Sequence, residues 1–207
     1  APWTKLALQN GKELISKSDD AWRKSRIEWE LGVALADGVA AEDQRGATQH
    51  TLANCTMTAT YLESGAKNRR ETPEDAFRVG RMYYRIGALH AVKRNDHKTA
   101  VTWYEKAVPL LDRPLPTSCR EEQGRYGEWY VSMGISYWEV GQGDFAVQLT
   151  DAGLKHIEEA VARQLLDRKA LAVPYNNLAT MHEKLGHQNE AKDFAELAAK
   201  TEETKRR

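Results

Sequence analysis

Tyr175–Lys200 reads YNNLATMHEKLGHQNEAKDFAELAAK, and its pattern decides the fold. Apolar residues recur at intervals of three and four, the helical period. Gly186 sits between two such runs and supplies a turn. Small residues (Ala179, Ala191, Ala195, Ala198) fall where two helices folded on each other must touch. A larger side chain at such a crossing would push the pair apart. The pattern occurs twice more upstream. Tyr175 falls on Tyr130 and Tyr84, Ala191 on Ala146 and Ala100, and Ala198 on Gly153 and Ala107, at intervals of 45 and 46 residues. Self-similarity at a fixed period of this size marks a repeat architecture.

The rest of the chain also reads as helix, since alternating runs bounded by hairpin turns are missing. Leu6, Leu8, Leu14 and Ile15 mark a first short helix. Ser18-Asp19-Asp20 offers an N-cap for a second, which carries Trp22, Ile27, Trp29, Leu31 and Leu35. Asp37-Gly38 is expected to end it, with a loop to about Asp43 and a third helix from Gln44 to Ala66. Leu31-Gly32, Leu35 and Ala47 look like a worn copy of the later repeats, which makes 1–70 an N-terminal segment with a degenerate unit.

Thr72-Pro73-Glu74-Asp75 places a cap before a first-turn proline, with acids where the helix dipole favours them. That helix is expected to reach Arg94, and Asn95-Asp96 turns into the next, which runs through Val108. Pro109, Pro114 and Pro116 are expected to break the chain, and Ser118 to Glu121 has capping-box spacing for another start. Gly141 and Gly143 close that helix, and one from Phe145 to Leu166 follows. Asp167 opens the next, with Pro174 near its beginning, and the polar tail Glu202–Arg207 frays. About nine helices result, an all-α chain.

The three clear units, about 81–114, 127–160 and 172–205, resemble the tetratricopeptide repeat. That family's helix A wants a bulky residue early, a small one four positions later and an aromatic three beyond. Here Tyr84, Ala88 and Ala91, then Tyr130, Gly134 and Tyr137, then Tyr175, Ala179 and His182 take those places. Asn95, Gly141 and Gly186 occupy the turn. Ala100 with Ala107, Ala146 with Gly153, and Ala191 with Ala198 supply the small residues of helix B. The usual unit is about 34 residues. The extra length here is about three helical turns, which keeps the same faces inward. The longer spacing and Asn-Asn-Leu-Ala of the last unit look most like the kinesin-light-chain subtype.

The resemblance implies a right-handed superhelix of stacked antiparallel helix pairs, one continuous α-solenoid with a concave groove lined by helix A. Carried over by position, the groove residues are Arg85, Leu89 and Val92; Ser132, Ile135 and Trp138; and Asn176, Asn177, Thr180 and Lys184. Asn177 matches the place where family members hold a peptide backbone with an amide, which both donates and accepts. Trp138 suits an anchor for a partner, and equally burial between helices. Tyr84, Tyr130 and Tyr175 are packing residues. The carboxylate clamp of chaperone adaptors is incomplete, with Arg85 and Asn177 as its only matching parts.

Composition narrows the alternatives. Lys plus Arg number 30 and Asp plus Glu 30, so no net field gathers nucleic acid or an anionic membrane. No apolar run approaches the roughly 20 residues that span a bilayer. A start at Ala-Pro-Trp is expected of a processed protein or excised domain. Cys55 and Cys119 are too few for a disulfide framework or zinc site and read as small buried hydrophobes. His182-Glu183 with His187 lacks zincin spacing, and Gly186 breaks the helix between them, so His182 reads as packing. His90 and His97 flank a turn with no third ligand near in sequence. Gly134-Ile135-Ser136 lacks the context of a nucleophile elbow, and Gly141-Gln142-Gly143 is a turn between helices rather than a phosphate cradle.

The expectation is therefore a non-enzymatic scaffold without cofactor or metal, monomeric, binding a peptide or partner protein in its groove. The rivals are a regulatory module of a larger polypeptide and a module that self-associates through its ends.

Overall fold

The computed structural model describes residues 2–43, 48–68, 72–114, 116–117 and 123–203. Among the described residues there are nine α-helices and no strand: α1 (Pro2–Ser16), α2 (Ala21–Asp43), α3 (Thr48–Ala66), α4 (Pro73–Ala88), α5 (His97–Leu111), α6 (Gln123–Glu139), α7 (Gly143–Ala162), α8 (Ala172–Leu185) and α9 (Gln188–Glu203). A π-helical turn (Leu89–Lys93) extends α4, and a 3₁₀ turn (Arg168–Leu171) precedes α8. The chain divides into two compact units, residues 1–95 with 102–114, and residues 96–101 with 115–207.

Polar side chains start the helices where the sequence places them. Asp20 Oδ1 accepts from the Trp22 and Arg23 amides at 2.8 and 3.4 Å and caps α2. Thr72 and Asp75 form a reciprocal capping box ahead of Pro73. Asp96 Oδ1 accepts from the Thr99 amide at 3.0 Å, and Asp167 from that of Lys169 at 2.8 Å. Helices α6 and α8 stop at Gly141 and Gly186, both at positive φ (83° and 85°). In each, the next amide reaches back to the helix, Gln142 to the Tyr137 carbonyl and His187 to that of His182, both at 2.9 Å. These are Schellman stops, which glycine takes without a Cβ penalty.

Three sequence expectations about boundaries are corrected. α2 does not end at Asp37-Gly38 but continues to Asp43. Gly38 is a contact glycine, not a stop: a Cβ there would run into the Thr4 methyl of α1. Pro109 does not break α5, which ends at Leu111. It sits in the last turn with an exposed side chain, so water can serve the carbonyl that loses its donor. α7 stops at Ala162 instead of Leu166, because Gln164 takes a left-handed φ of 60° and the Leu165 amide returns to the Ala160 carbonyl at 2.9 Å. The proposed start at Ser118–Glu121, Cys119, Ala47 and the end of the tail lie outside the described residues.

Glycines make the helix pairs close. A Cβ on Gly127 or on Gly153 would lie 2.6 Å from the other's carbonyl oxygen, so the α6 and α7 backbones touch there. One on Gly134 would strike Thr150 Oγ1 and come within 2.9 Å of the Ala146 carbonyl. In the first unit a Cβ on Gly80 would meet Leu111 at 3.0 Å, and one on Gly87 would strike the Tyr104 ring. The α2–α3 pair uses the same device. A Cβ on Gly32 would lie 2.8 Å from Leu62, and one on Gly65 2.5 Å from the Trp29 amide nitrogen.

These contacts reset the alignment of the first clear unit. Gly80 and Gly87 play the parts of Gly127 and Gly134, an interval of 47, while their partners Tyr104 and Leu111 match Thr150 and Ile157 at 46. Helix A of the first unit therefore holds one extra residue. The π turn at Leu89–Lys93 takes it up, since a π turn is an α turn widened by one position. Upstream of it the true counterpart of Tyr130 is Tyr83, which is buried; Tyr84, read from the sequence as packing, is only half-buried.

Candidate functional site

The corrected alignment puts Arg85, Ser132 and Asn177 at one equivalent place, and Ala88, Ile135 and Thr180 at the next. Leu89 falls opposite Ser136, and both are buried, at 5% and 1% exposure. Leu89 is therefore a core residue, a correction to its assignment as groove lining. It was one position out because the interval was taken as constant through α4. In the first unit Arg85 is half-buried and Val92, on the π turn, is 71% exposed.

In the second unit, α6 and α8 share one core. Val131 of α6 packs in a cluster with Tyr175 and Leu178 of α8, Leu154 and Ile157 of α7, Leu171, and Ala198 of α9. That packing holds the α6 and α8 candidates near one another. The Lys184 ammonium lies over the Trp138 ring, 5.9 Å from its centroid. Trp138 also rests on Gly143, where an added Cβ would sit 3.3 Å from both the Trp138 ring and the Leu185 side chain. Trp138 is half-buried between α6, α7 and α8, so it packs and presents an edge at once. Ile135, Asn176, Thr180 and Lys184 are exposed, and Ser132 is half-buried. Thr180 donates to the Asn176 carbonyl at 2.9 Å, one turn back on its own helix.

Asn177 is the unusual member. Its side-chain Nδ2 is buried and has no hydrogen-bond partner among the described residues. A buried amide donor left unpaired costs about 1–3 kcal/mol.

Sequence reasoning missed a second set of polar contacts. Tyr83 donates to Glu63 Oε1 at 2.6 Å, and Tyr175 donates to Glu158 Oε1 at 3.0 Å. The two tyrosines are equivalent in the corrected alignment, and each glutamate belongs to the preceding helix B. Burial, then the bond and the nearby carboxylate charge, raise both phenols, Tyr175 to about 12. The available signal was a glutamate on the helix before each repeat tyrosine, and a one-residue slip hid it in the first unit. Tyr126 and Tyr130 contact each other through their hydroxyls at 3.3 Å, with the His156 ring edge-on to Tyr126 at 4.7 Å.

The histidines are placed as follows. His97 Nδ1 lies 3.1 Å from Ser136 Oγ, whose burial removes it from any substrate. His182 stacks on Phe194 at 5.6 Å, in keeping with packing. The break at Gly186 does not keep His182 and His187 apart as expected: the turn brings their Nδ1 atoms to 3.2 Å. Among the described residues no group of three His, Cys, Asp or Glu could hold a metal ion. No described helix is long and apolar enough to cross a membrane. Cys55 is buried and in no disulfide.

A model of the tetratricopeptide repeat matches residues 172–204, which take in α8 and α9. The chain carries a tetratricopeptide repeat. No curated protein sequence matches it. Among solved structures, BtubC (BKLC) from P. vanneervenii is similar, with a TM-score of 0.53 at 15% identity, over 98% of this chain and 74% of that one. At that identity the likeness concerns the fold alone, and the fold is an all-α helical repeat, an α-solenoid. Tetratricopeptide repeats serve in general as protein-interaction elements.

Proposed function

We propose that this chain is a non-enzymatic interaction module that holds a peptide segment of a partner protein on the surface formed by α6 and α8. The observation that carries the reading is the unpaired Asn177 Nδ2. A carbonyl of a bound peptide would give it the acceptor it lacks, and the amide oxygen of the same side chain can take a peptide N–H. Trp138, with Lys184 over its ring, offers an aromatic edge and a cation about two turns from Asn177 along α8. Such a surface gains affinity from backbone contacts and specificity from side-chain pockets. We further propose that α4–α5, α6–α7 and α8–α9 are three repeats of one design, with α2–α3 an older, diverged fourth. The support is the glycine contact common to those helix pairs for which it is seen.

Peptides selected from a random library on the immobilised protein test this. Asn177→Ala is expected to weaken the selected peptides at least about tenfold, the scale of one lost backbone-directed bond in a desolvated site. It should leave thermal stability unchanged or slightly raised, since no internal bond is lost. Unchanged affinity in both Asn177→Ala and Trp138→Ala would remove the α6–α8 assignment.

A further inference from the structure

A cavity of about 570 Å³ opens between α1 and α2 in the first unit, far along the chain from the surface just described. Ala7, Gly11 and Leu14 line it from α1, and Ile27, Leu31 and Ala34 from α2. Its volume and apolar wall are those of a small-ligand site, which typically adds a few polar groups that fix orientation. The opening exists because Gly11 and Gly38 let α1 lie close on α2 at two points, against Leu31 and Thr4, while Leu14 and Trp22 stay 52% and 59% exposed.

Along α2 the charges on this cavity run Asp20, Arg23, Arg26 and Glu30, which sets the two cations side by side between the acids. Arg23 and Arg26 lie on the α2 turns beside Trp22, and the Arg26 guanidinium sits 5.8 Å from the Trp22 ring centroid. Neither guanidinium has a carboxylate partner among the described residues. Asp20, also on the lining, accepts from the amides that open α2. Those two bonds hold its carboxylate at the start of α2, on the far side of Arg23 from Arg26 in sequence. Glu30 lies one turn further along α2 and disfavours an anion beyond Arg26. The Arg23–Arg26 pair therefore takes a negative head, and the Ile27–Leu31–Ala34 wall takes an apolar tail.

We propose that this cavity binds an anionic amphiphile, a free fatty-acid-like carboxylate, with its chain along Leu14, Ile27 and Leu31 and its head on Arg23 and Arg26. The two guanidiniums supply charge-assisted bonds in planar geometry suited to a carboxylate. Trp22 covers the chain where it enters. The site is separate from the peptide-binding reading and stands without it.

Dodecanoate, dodecanol and dodecyltrimethylammonium, each kept below its micelle concentration, are titrated into the full chain and followed by calorimetry and tryptophan fluorescence. Dodecanoate is expected to saturate at one per chain, at least about tenfold tighter than dodecanol, the scale of one charge-assisted bond. The cationic amphiphile is expected to bind more weakly still. Arg23→Gln with Arg26→Gln, both exposed and safe for folding, should bring dodecanoate to within about twofold of dodecanol, since the neutral head then loses nothing. Leu14→Asp should abolish binding of both, and Trp22→Phe should remove the fluorescence change while the heat remains. Equal affinity for the three head groups, or no saturable dodecanoate binding, overturns the proposal. So does binding only to anionic vesicles or to an acidic amphipathic peptide.

Discussion

Replacing Gly153 with alanine probes the α6–α7 crossing at its tightest point. The new Cβ would lie 2.6 Å from the Gly127 carbonyl oxygen, 2.9 Å from the Val131 amide nitrogen and 2.8 Å from the Val131 Cγ2. Two of these neighbours are backbone atoms of a helix and have no rotamer to change. Relief requires the helices to separate by roughly half an ångström or more, which loosens every contact in the shared core. Overpacking of this kind costs about 3 kcal/mol at the upper end. Alanine returns about 1 kcal/mol through helix propensity. The net expectation is a loss of about 2 kcal/mol. Urea unfolding followed by circular dichroism at the helical minimum measures it, with Gly143→Ala as the control. There the nearest atoms are side chains at 3.3 Å, and the cost should be within about half a kcal/mol. A Gly153→Ala protein as stable as the parent would show that the backbones do not approach as described.

Two further outcomes follow from the polar contacts. Tyr175→Phe removes a bond to Glu158 and should cost about 1 kcal/mol at neutral pH. Because the folded-state phenol is raised to about 12 from its ordinary 10, its share of stability is intact below pH 10 and is lost as pH rises through 12. Alkaline unfolding of Tyr175→Phe should lack Tyr175's share of that loss while Tyr83 keeps its own, and a mutant that lost as much stability as the parent between pH 10 and 12 would clear Tyr175 of it. Thr72→Ala deletes one half of the capping box of α4 and should cost about 1 kcal/mol, whereas Thr72→Ser should cost little. Thermal melts of the two variants distinguish them, and equal melting points would deny the cap its role.

Helix identity, the caps at Asp20, Thr72, Asp96 and Asp167, and the stops at Gly141 and Gly186 were legible in the sequence because each is a local matter of one side chain and its nearest amides. What escaped was set by distant partners. Gly38 looked like a stop from its own neighbours and is a contact glycine because Thr4 of α1 lies against it. Pro109 looked like a break, yet a proline so near a helix end removes a bond that water can replace. The helical period was enough to put Trp138, Asn177 and Lys184 on α6 and α8, and whether they hold a partner is what the peptide selection tests. Leu89 was misplaced because an extra residue inside a helix leaves no mark in composition or capping. The pairing of Gly87 with Tyr104 and of Gly134 with Thr150 shows it, together with the π turn. The tyrosine–glutamate bonds were invisible for a related reason, since they join residues 17 and 20 positions apart on different helices.

The widened turn at Leu89–Lys93 also says where this chain tolerates a change of length. Losing one residue elsewhere in α4 would swing everything on one side of the cut by about 100° and carry Ile86 or Met82 out to water. Losing one residue within the turn would only draw it in to the ordinary spacing of the later units. Within α4 and its extension, this turn is where a one-residue deletion is nearly silent. That turn is where a shortened version of the helix would be built.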